Sequence, residues 1–320
     1  MTLDDLKVFV YVCEAGNLSA VARNLGCTQP AISQHISRLE RELGVKLFER
    51  SAQGVTRTEA GSALMESAVE SLNALSAGID RVQEIQGHGR RHLTVTTGGT
   101  SVRHFLRDTV VKFRASHDDV TLQFLPANTT ARCLELVRIG SADLALVTVH
   151  GAQRGVEQRI LAQQDLRLLV PENDALAKRK RIRVRDLEGI DYIGLSEDTT
   201  SAGYLGDAFE SEGVSVNQFM TVDDFDTACE FVELGLGFAI VPAVQAANFS
   251  KVSKVRGIPV TGLPALSIGL AARRWNALGD AAQKFVDVFQ RQLARMSRLP
   301  GVTLLPGGQV HATYPASVRP

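Results

Sequence analysis

The stretch from Asn17 to Arg50, NLSAVARNLGCTQPAISQHISRLERELGVKLFER, decides the fold of this chain because it predicts two helices joined by a tight turn. Asn17 or Ser19 can cap the first helix, and Thr28 can cap the second. Pro30 lies in the first turn of the second helix, where a missing backbone N–H costs little. This pattern is typical of a helix-turn-helix.

The second helix has two different faces. Its apolar residues recur at spacings of four, three and four, and so predict a buried stripe made of Ile32, Ile36, Leu39 and Leu43. The opposite face carries polar side chains of the kind that reach base edges and phosphates in a major groove. They are Gln29, Ser33, Gln34, Ser37 and Arg38. We therefore expect residues 29–38, with Pro30 at their start, to form a DNA recognition helix.

The segment after this helix, VKLFERSAQGVTRTEAG, predicts a strand, a turn and a second strand. Gln53 lies at the tip of this wing, and Arg50 and Arg57 are placed to meet the phosphate backbone, where contacts position a protein without reading sequence. Between Arg23 and Arg57 six basic residues stand against three acids. So small an excess of positive charge predicts that tight DNA binding needs two or more modules held together.

A longer motif spans both segments: A-x-x-L-x-x-[ST]-Q-P-A-[IV]-S-x-x-I-x-x-L-E-x-x-L-G-x-x-L-F-x-R, followed by T-E-A-G at residues 58–61. It resembles the LysR-type transcriptional regulators. The resemblance implies a winged helix-turn-helix over residues 1–58, an inverted-repeat operator in double-stranded DNA, and a homo-oligomer, either dimer or tetramer. It also implies RNA polymerase as a further partner. The chain departs from the family pattern at Gln34, Gln53 and Arg57, on the reading surface.

Residues 59–90 are predicted to form a linker helix and a hinge. Apolar residues recur there every three or four positions, with a period of 3.5 residues, which suits a coiled-coil partner. The stripe is Met65, Ala68, Leu72, Leu75, Ile79 and Val82. The alternative is a helix packed on its own domain, but the narrow stripe favours a helix pair. In the family that the chain resembles, this helix joins the two subunits, and Gly87 to Arg91 would be the hinge.

Strand and helix patterns alternate from His92 onward, which predicts an α/β domain. The resemblance implies two subdomains similar to type 2 periplasmic solute-binding proteins, the first from residues 91–161 and 267–299 and the second from residues 162–266. A ligand cleft would lie at their junction. Residues 300–320, rich in proline and glycine, are predicted to be a flexible tail.

The effector site is carried over from the same resemblance, onto Thr100, Ser101, Asn128, Thr129 and Thr148. All five side chains are small and polar. Hydroxyls and backbone N–H groups at helix N-termini favour an acceptor-rich ligand, so we expect a small anionic metabolite. The nearby Asp223 and Asp226 argue the other way if they face the cleft.

The composition limits the classes of protein to which this chain can belong. The 320 residues are 44% hydrophobic and 22% charged with no formal net charge, as in ordinary globular proteins. An acidic N-terminus and the lack of any apolar run of 18 residues predict a cytoplasmic protein without signal peptide or membrane span. Four scattered cysteines predict buried reduced thiols. We find no catalytic motif or metal-ligand spacing, and expect no enzyme activity, metal or cofactor.

Two functions are consistent with these features. The first is a ligand-responsive transcription factor. The second is a cytoplasmic solute-binding protein that uses its helix-turn-helix only for oligomerisation. A packing surface would not need the polar outer face at Gln29 to Gln34, so we favour the first.

Overall fold

The computed structural model describes residues 1–51, 54–85, 91–296, 298 and 300–310, and the chain divides into two compact units, Met1–Gly89 and Arg90–Pro320. The predicted hinge falls almost entirely outside the described residues, as do residues 311–320 of the predicted tail. No described helix is both long and apolar enough to span a membrane.

The N-terminal unit is a winged helix-turn-helix, as predicted. Its elements in chain order are α1 (Leu3–Ala15), α2 (Leu18–Asn24), α3 (Gln29–Leu43), β1 (Phe48–Ser51), β2 (Gly54–Arg57) and α4 (Glu59–Ile85). Asn17 caps α2 by accepting the backbone N–H groups of Ser19 and Ala20. Gly44 ends α3 in the left-handed conformation that glycine adopts without strain.

The wing and the linker helix are fixed by close backbone approaches. The Val55 N–H donates to the carbonyl of Gly16, after α1, at 2.9 Å. A Cβ on Gly61, the glycine of the T-E-A-G motif, would lie 2.2 Å from the Leu47 carbonyl oxygen, so only glycine lets α4 pack this close to Leu47, the residue before β1. The Thr58 hydroxyl accepts the Gly61 N–H at 3.0 Å and caps this turn.

The apolar stripe of α4 divides in two. Met65 and Ala68 are buried within the chain, each with only 2% of its surface exposed, so both belong to the core of the N-terminal unit. For these two residues the predicted dimer seam is wrong and the alternative, packing on the helix's own domain, applies. Leu75, Ile79 and Val82 are 40%, 49% and 53% exposed.

The C-terminal unit has two lobes. The first contains a six-stranded sheet in the order β14-β6-β13-β5-β3-β4, in which β3 is parallel to β4 and β5 and the remaining pairs are antiparallel. Its elements are β3 (Arg91–Thr97), α5 (Gly99–Ser101), a π-helical segment (Val102–Leu106), α6 (Arg107–Ser116), β4 (Val120–Pro126), α7 (Thr130–Arg138), β5 (Leu144–Thr148) and β6 (Glu157–Gln164).

The second lobe follows β6 without a break. It consists of β7 (Leu166–Pro171), β8 (Ile182–Arg183), β9 (Asp191–Leu195), α8 (Thr200–Glu212), β10 (Asn217–Val222), α9 (Phe225–Glu233), β11 (Ala239–Pro242), α10 (Ala243–Phe249) and β12 (Val255–Thr261). The chain then returns to the first lobe through β13 (Leu266–Ala272), α11 (Asp280–Met296) and β14 (Val302–Val310).

Two predicted boundaries need correction. Residues 162–164 are paired within the first sheet, so the chain leaves the first lobe at Asp165 and not after residue 161. Residues 302–310, placed in the predicted flexible tail, form β14 on the edge strand β6. The register shifts between Leu304 and Gln309, and this irregularity accommodates Pro306, which has no N–H to donate to a neighbouring strand.

Candidate functional site

The first candidate site is the outer face of α3. Ile32, Ile36 and Leu39 are buried, as the periodicity predicts, whereas Leu43 is 43% exposed. Gln29, Pro30, Gln34 and Ser37 are exposed and Ser33 is half-buried. Gln29 Nε2 donates to the Ser33 hydroxyl at 3.3 Å, which orders this end of the face. The helix therefore presents short polar groups outward at its N-terminal end, where a recognition helix contacts bases.

Arg38 differs from its neighbours because its guanidinium is engaged within the protein. Its Nε donates to both carboxylate oxygens of Asp5, at 3.0 and 2.9 Å, and its Nη2 donates to Asp5 as well. His35 Nδ1 lies 2.8 Å from the same carboxylate. Asp5 is fully buried. Burial raises its pKa, but the hydrogen bonds from Arg38, His35 and Thr2 outweigh burial and hold that pKa well below its usual range.

A second carboxylate ties α3 to the wing. Glu40 Oε1 accepts the backbone N–H of Leu47 at 2.9 Å, and Oε2 accepts from Lys46 Nζ at 2.6 Å. Burial raises the pKa of Glu40, but these hydrogen bonds lower it by more, so the pKa lies below its ordinary value. Arg57, at the end of β2, is exposed. The side chains of the other two predicted wing contacts, Arg50 and Gln53, lie outside the described residues.

The second candidate site is a cleft of about 560 Å³ between the two lobes of the C-terminal unit. Every residue of the predicted effector site lines it: Thr100, Ser101, Asn128, Thr129 and Thr148. Thr129 caps α7 by accepting the Arg132 N–H at 3.2 Å. The second lobe contributes the starts of α8, α9 and α10 to the opposite wall. Helix starts therefore line both walls of the cleft, and the first backbone N–H groups of a helix have no partner within that helix.

The cleft is less positive than the sequence predicts. Asp223, Asp224 and Asp226 all line it. Arg103, one turn into the helical segment after Ser101, has Nη1 3.5 Å from Asp226 Oδ2, and that carboxylate offsets its positive charge.

Sequence reasoning missed two polar residues beside this cleft, His104 and Gln245. His104 is buried in the π-helical segment, and Gln245 is buried in α10. A single glutamine in the apolar run PAVQAANF was the available signal. For His104 we find no signal, because its partners lie more than a hundred residues away.

The structure agrees only in part with the prediction that the cysteines are buried. Cys133 and Cys229 are buried, and burial raises the pKa of both thiols, which disfavours the nucleophilic thiolate. Cys27 is exposed, so its predicted burial is wrong. Among the described residues no group of three His, Cys, Asp or Glu side chains could hold a metal ion.

Comparison with known proteins finds a family match for each of the two parts of the chain. Residues 3–62 match the "Bacterial regulatory helix-turn-helix protein, lysR family", and residues 86–294 match the "LysR substrate binding domain". The chain is 25% identical to the uncharacterized transcriptional regulator YbhD of Escherichia coli, over 88% of this chain and 89% of YbhD. It is 24% identical to the Escherichia coli transcriptional activator LysR, over 78% of this chain and 80% of LysR.

Solved structures show the same fold. A full-length OxyR variant from Pseudomonas aeruginosa, 19% identical, superposes with a TM-score of 0.68 over 95% of this chain and 98% of OxyR. Full-length CbnR in complex with its target DNA, 26% identical, superposes with a TM-score of 0.53 over 91% of this chain and 99% of CbnR. The substrate-binding domain match alone covers more than half of the sequence. The chain therefore belongs to the LysR family of DNA-binding transcriptional regulators.

Proposed function

We propose that this regulator binds an interrupted inverted repeat as a dimer or tetramer and responds to a small anionic metabolite in the cleft. The observation that supports it most is the exposed polar face of α3 combined with an interlobe cleft lined by all five expected effector residues. Gln29, Ser33 and Gln34 would read bases. Arg50, Gln53 and Arg57 would contact phosphates, and Arg38 would support α3 from behind.

Oligomerisation would use the exposed part of the α4 stripe, Leu75, Ile79 and Val82, together with Leu72. Apolar side chains exposed in a single chain gain by packing against the same helix of a second copy. Two DNA-binding units held together in this way would supply the affinity that one weakly basic unit lacks. The free energy for switching would come from the difference between the effector's affinities for two arrangements of the oligomer.

The experiment is selection of DNA fragments retained by the purified protein, followed by footprinting with and without candidate carboxylate metabolites. We expect two protected half-sites and a change in protection when the effector binds. The alternative, a solute-binding protein with a helix-turn-helix used only for oligomerisation, predicts carboxylate binding without selection of any DNA sequence. Recovery of unselected DNA would therefore refute the proposed function.

A further inference from the structure

The second-lobe wall of the cleft is unusually rich in hydrogen-bond acceptors. It carries three carboxylates, Asp223, Asp224 and Asp226, and the side-chain amide of Gln245. What this wall could bind depends on which of these groups are already engaged within the protein, and the four differ in this respect.

Two of the carboxylates are engaged. Asp224 caps α9, since it accepts the backbone N–H of Thr227 at 2.9 Å and the hydroxyl of the same residue at 2.8 Å. Asp226 accepts from His104 Nε2 at 2.7 Å and also pairs with Arg103. Asn248 Nδ2 donates to the other ring nitrogen of His104 at 2.9 Å, which leaves the ring proton on Nε2 directed at Asp226.

The other two acceptors remain available. Asp223 is exposed to the cleft and accepts a hydrogen bond from the Ser196 hydroxyl, and no described basic side chain pairs with it. Gln245 is only 3% exposed, and its Oε1 accepts no hydrogen bond from any described residue. A buried acceptor without a donor is costly, and each such group in a native structure calls for an explanation.

These two acceptors belong to one neighbourhood. The contact of His104 with Asp226 and Asn248 joins the π-helical segment to α9 and α10. Ser101 lies three residues before His104, Asp223 three before Asp226, and Gln245 three before Asn248. All three of these earlier residues line the cleft. The second-lobe wall therefore contributes a carboxylate and an amide oxygen to the same cleft to which Ser101 of the first lobe contributes a hydroxyl.

An ammonium group matches this set because it carries positive charge and several N–H donors. A metal ion matches less well, since the described residues contain no group of three His, Cys, Asp or Glu side chains placed to hold one. The first-lobe wall is complementary, because Thr129 and the backbone N–H groups at the start of α7 favour a carboxylate.

We infer that the effector is an amino carboxylate, whose ammonium group binds Asp223 and Gln245 Oε1 and whose carboxylate binds at the start of α7. This rests on the proposed function and adds a required cationic group to the anionic one. It predicts that deamination of the ligand, without any other change, removes most of the affinity.

The test uses calorimetry on the full chain with matched pairs of acids: L-aspartate and succinate, L-glutamate and glutarate, L-leucine and isocaproate, L-phenylalanine and hydrocinnamate. We expect at least one amino acid to bind at least about tenfold more tightly than its deaminated partner, as for hydrogen bonds to a charged group. Asp223→Asn should remove most of this preference. Gln245→Leu, which deletes the unpartnered oxygen and keeps an apolar environment, should reduce it too.

Asp207→Asn makes the same charge change on the exposed face of α8, away from the cleft lining, and should leave the preference intact. Three results would overturn the inference: equal binding within every pair, an unchanged preference in Asp223→Asn, or no binding by any of the amino acids. Selected operator DNA is titrated with the same samples. Specific DNA binding with a response to a deaminated acid would leave the proposed function standing, whereas loss of specific DNA binding by the wild type would refute that function instead.

Discussion

The buried carboxylate of Asp5, in the first turn of α1, is held by the guanidinium of Arg38 in the middle of α3, with Arg38 Nε 2.9 Å from Asp5 Oδ2. The two residues are 33 positions apart in sequence. The bond fixes α3 against α1, the first helix of the N-terminal unit. Arg38 thus holds α3, whose exposed polar face we propose to read DNA.

The first prediction concerns the pH dependence of this bond. Because the folded-state pKa of Asp5 lies below its ordinary value, the carboxylate stabilises the fold fully above pH of about 4 and loses this effect as pH falls through the folded-state pKa. Asp5→Asn should lower the urea midpoint at pH 7, and its difference from wild type should shrink below pH of about 4. Asp4→Asn, at an exposed neighbouring position, is the control. A difference that stays constant down to the lowest accessible pH would contradict this account.

The second prediction concerns Glu40 and the base of the wing. Glu40→Ala leaves the buried Leu47 N–H without its acceptor and should cost roughly 1 to 3 kcal/mol of local stability. Lys46→Ala removes only the partner whose side chain is 78% exposed, so it should cost less than about 1 kcal/mol. Hydrogen exchange of residues 45–57 measures both effects. Equal costs for the two variants would show that the ion pair, and not the backbone bond, stabilises the wing.

The third prediction separates base reading from phosphate contact. Gln34→Ala should cost about 1 to 3 kcal/mol of operator affinity and relax the preference at one position in each half-site. Arg57→Ala should weaken binding to all sequences alike and reduce the slope of affinity against salt concentration by about one for each phosphate that Arg57 neutralises. Both are measured by fluorescence anisotropy on selected operators over a range of salt concentrations. Unchanged base preference in Gln34→Ala would remove α3 from the role of recognition helix.

The fourth prediction concerns the exposed part of the α4 stripe. Ile79→Asp would place a carboxylate in an apolar seam without a partner, so the variant should sediment as a monomer and lose operator binding at the same time. Ala74→Asp puts the same charge on an exposed position about a third of a turn away from the stripe and should remain oligomeric. An intact oligomer in Ile79→Asp would rule out this seam.

The fifth prediction concerns Thr129, which caps α7 and lines the cleft. Thr129→Val should destabilise α7 by about 0.5 to 2 kcal/mol, through loss of the cap, and should weaken binding of the effector as well. Thr129→Ser keeps the hydroxyl and should change neither. Hydrogen exchange of residues 129–139 reports the cap, and calorimetry reports the ligand. A destabilised helix with unchanged affinity would leave the cap in place and remove Thr129 from the effector site.

Most elements of this protein are determined by local sequence. The period of Ile32, Ile36 and Leu39 sets which face of α3 is buried, because residues three and four apart share one side of a helix. The caps at Asn17 and Asp224 are equally local, since each side chain bonds to backbone N–H groups two or three residues ahead. Signals of this range can be recognised without knowledge of the rest of the chain.

Only the tertiary structure decided the rest, because it depends on residues far apart in the chain. The segment 302–310, which contains Pro306 and two glycines, is a strand because β6, more than a hundred residues earlier, offers it an edge. Met65 and Ala68 are buried, although their spacing is the same as that of exposed residues in the same stripe, because α4 packs against the N-terminal unit at these two positions. The same reason applies to the bond of Arg38 with Asp5 and to Gln245 Oε1, which accepts from no residue that the structure describes. The groups around a side chain come from distant segments, and a local pattern does not contain them.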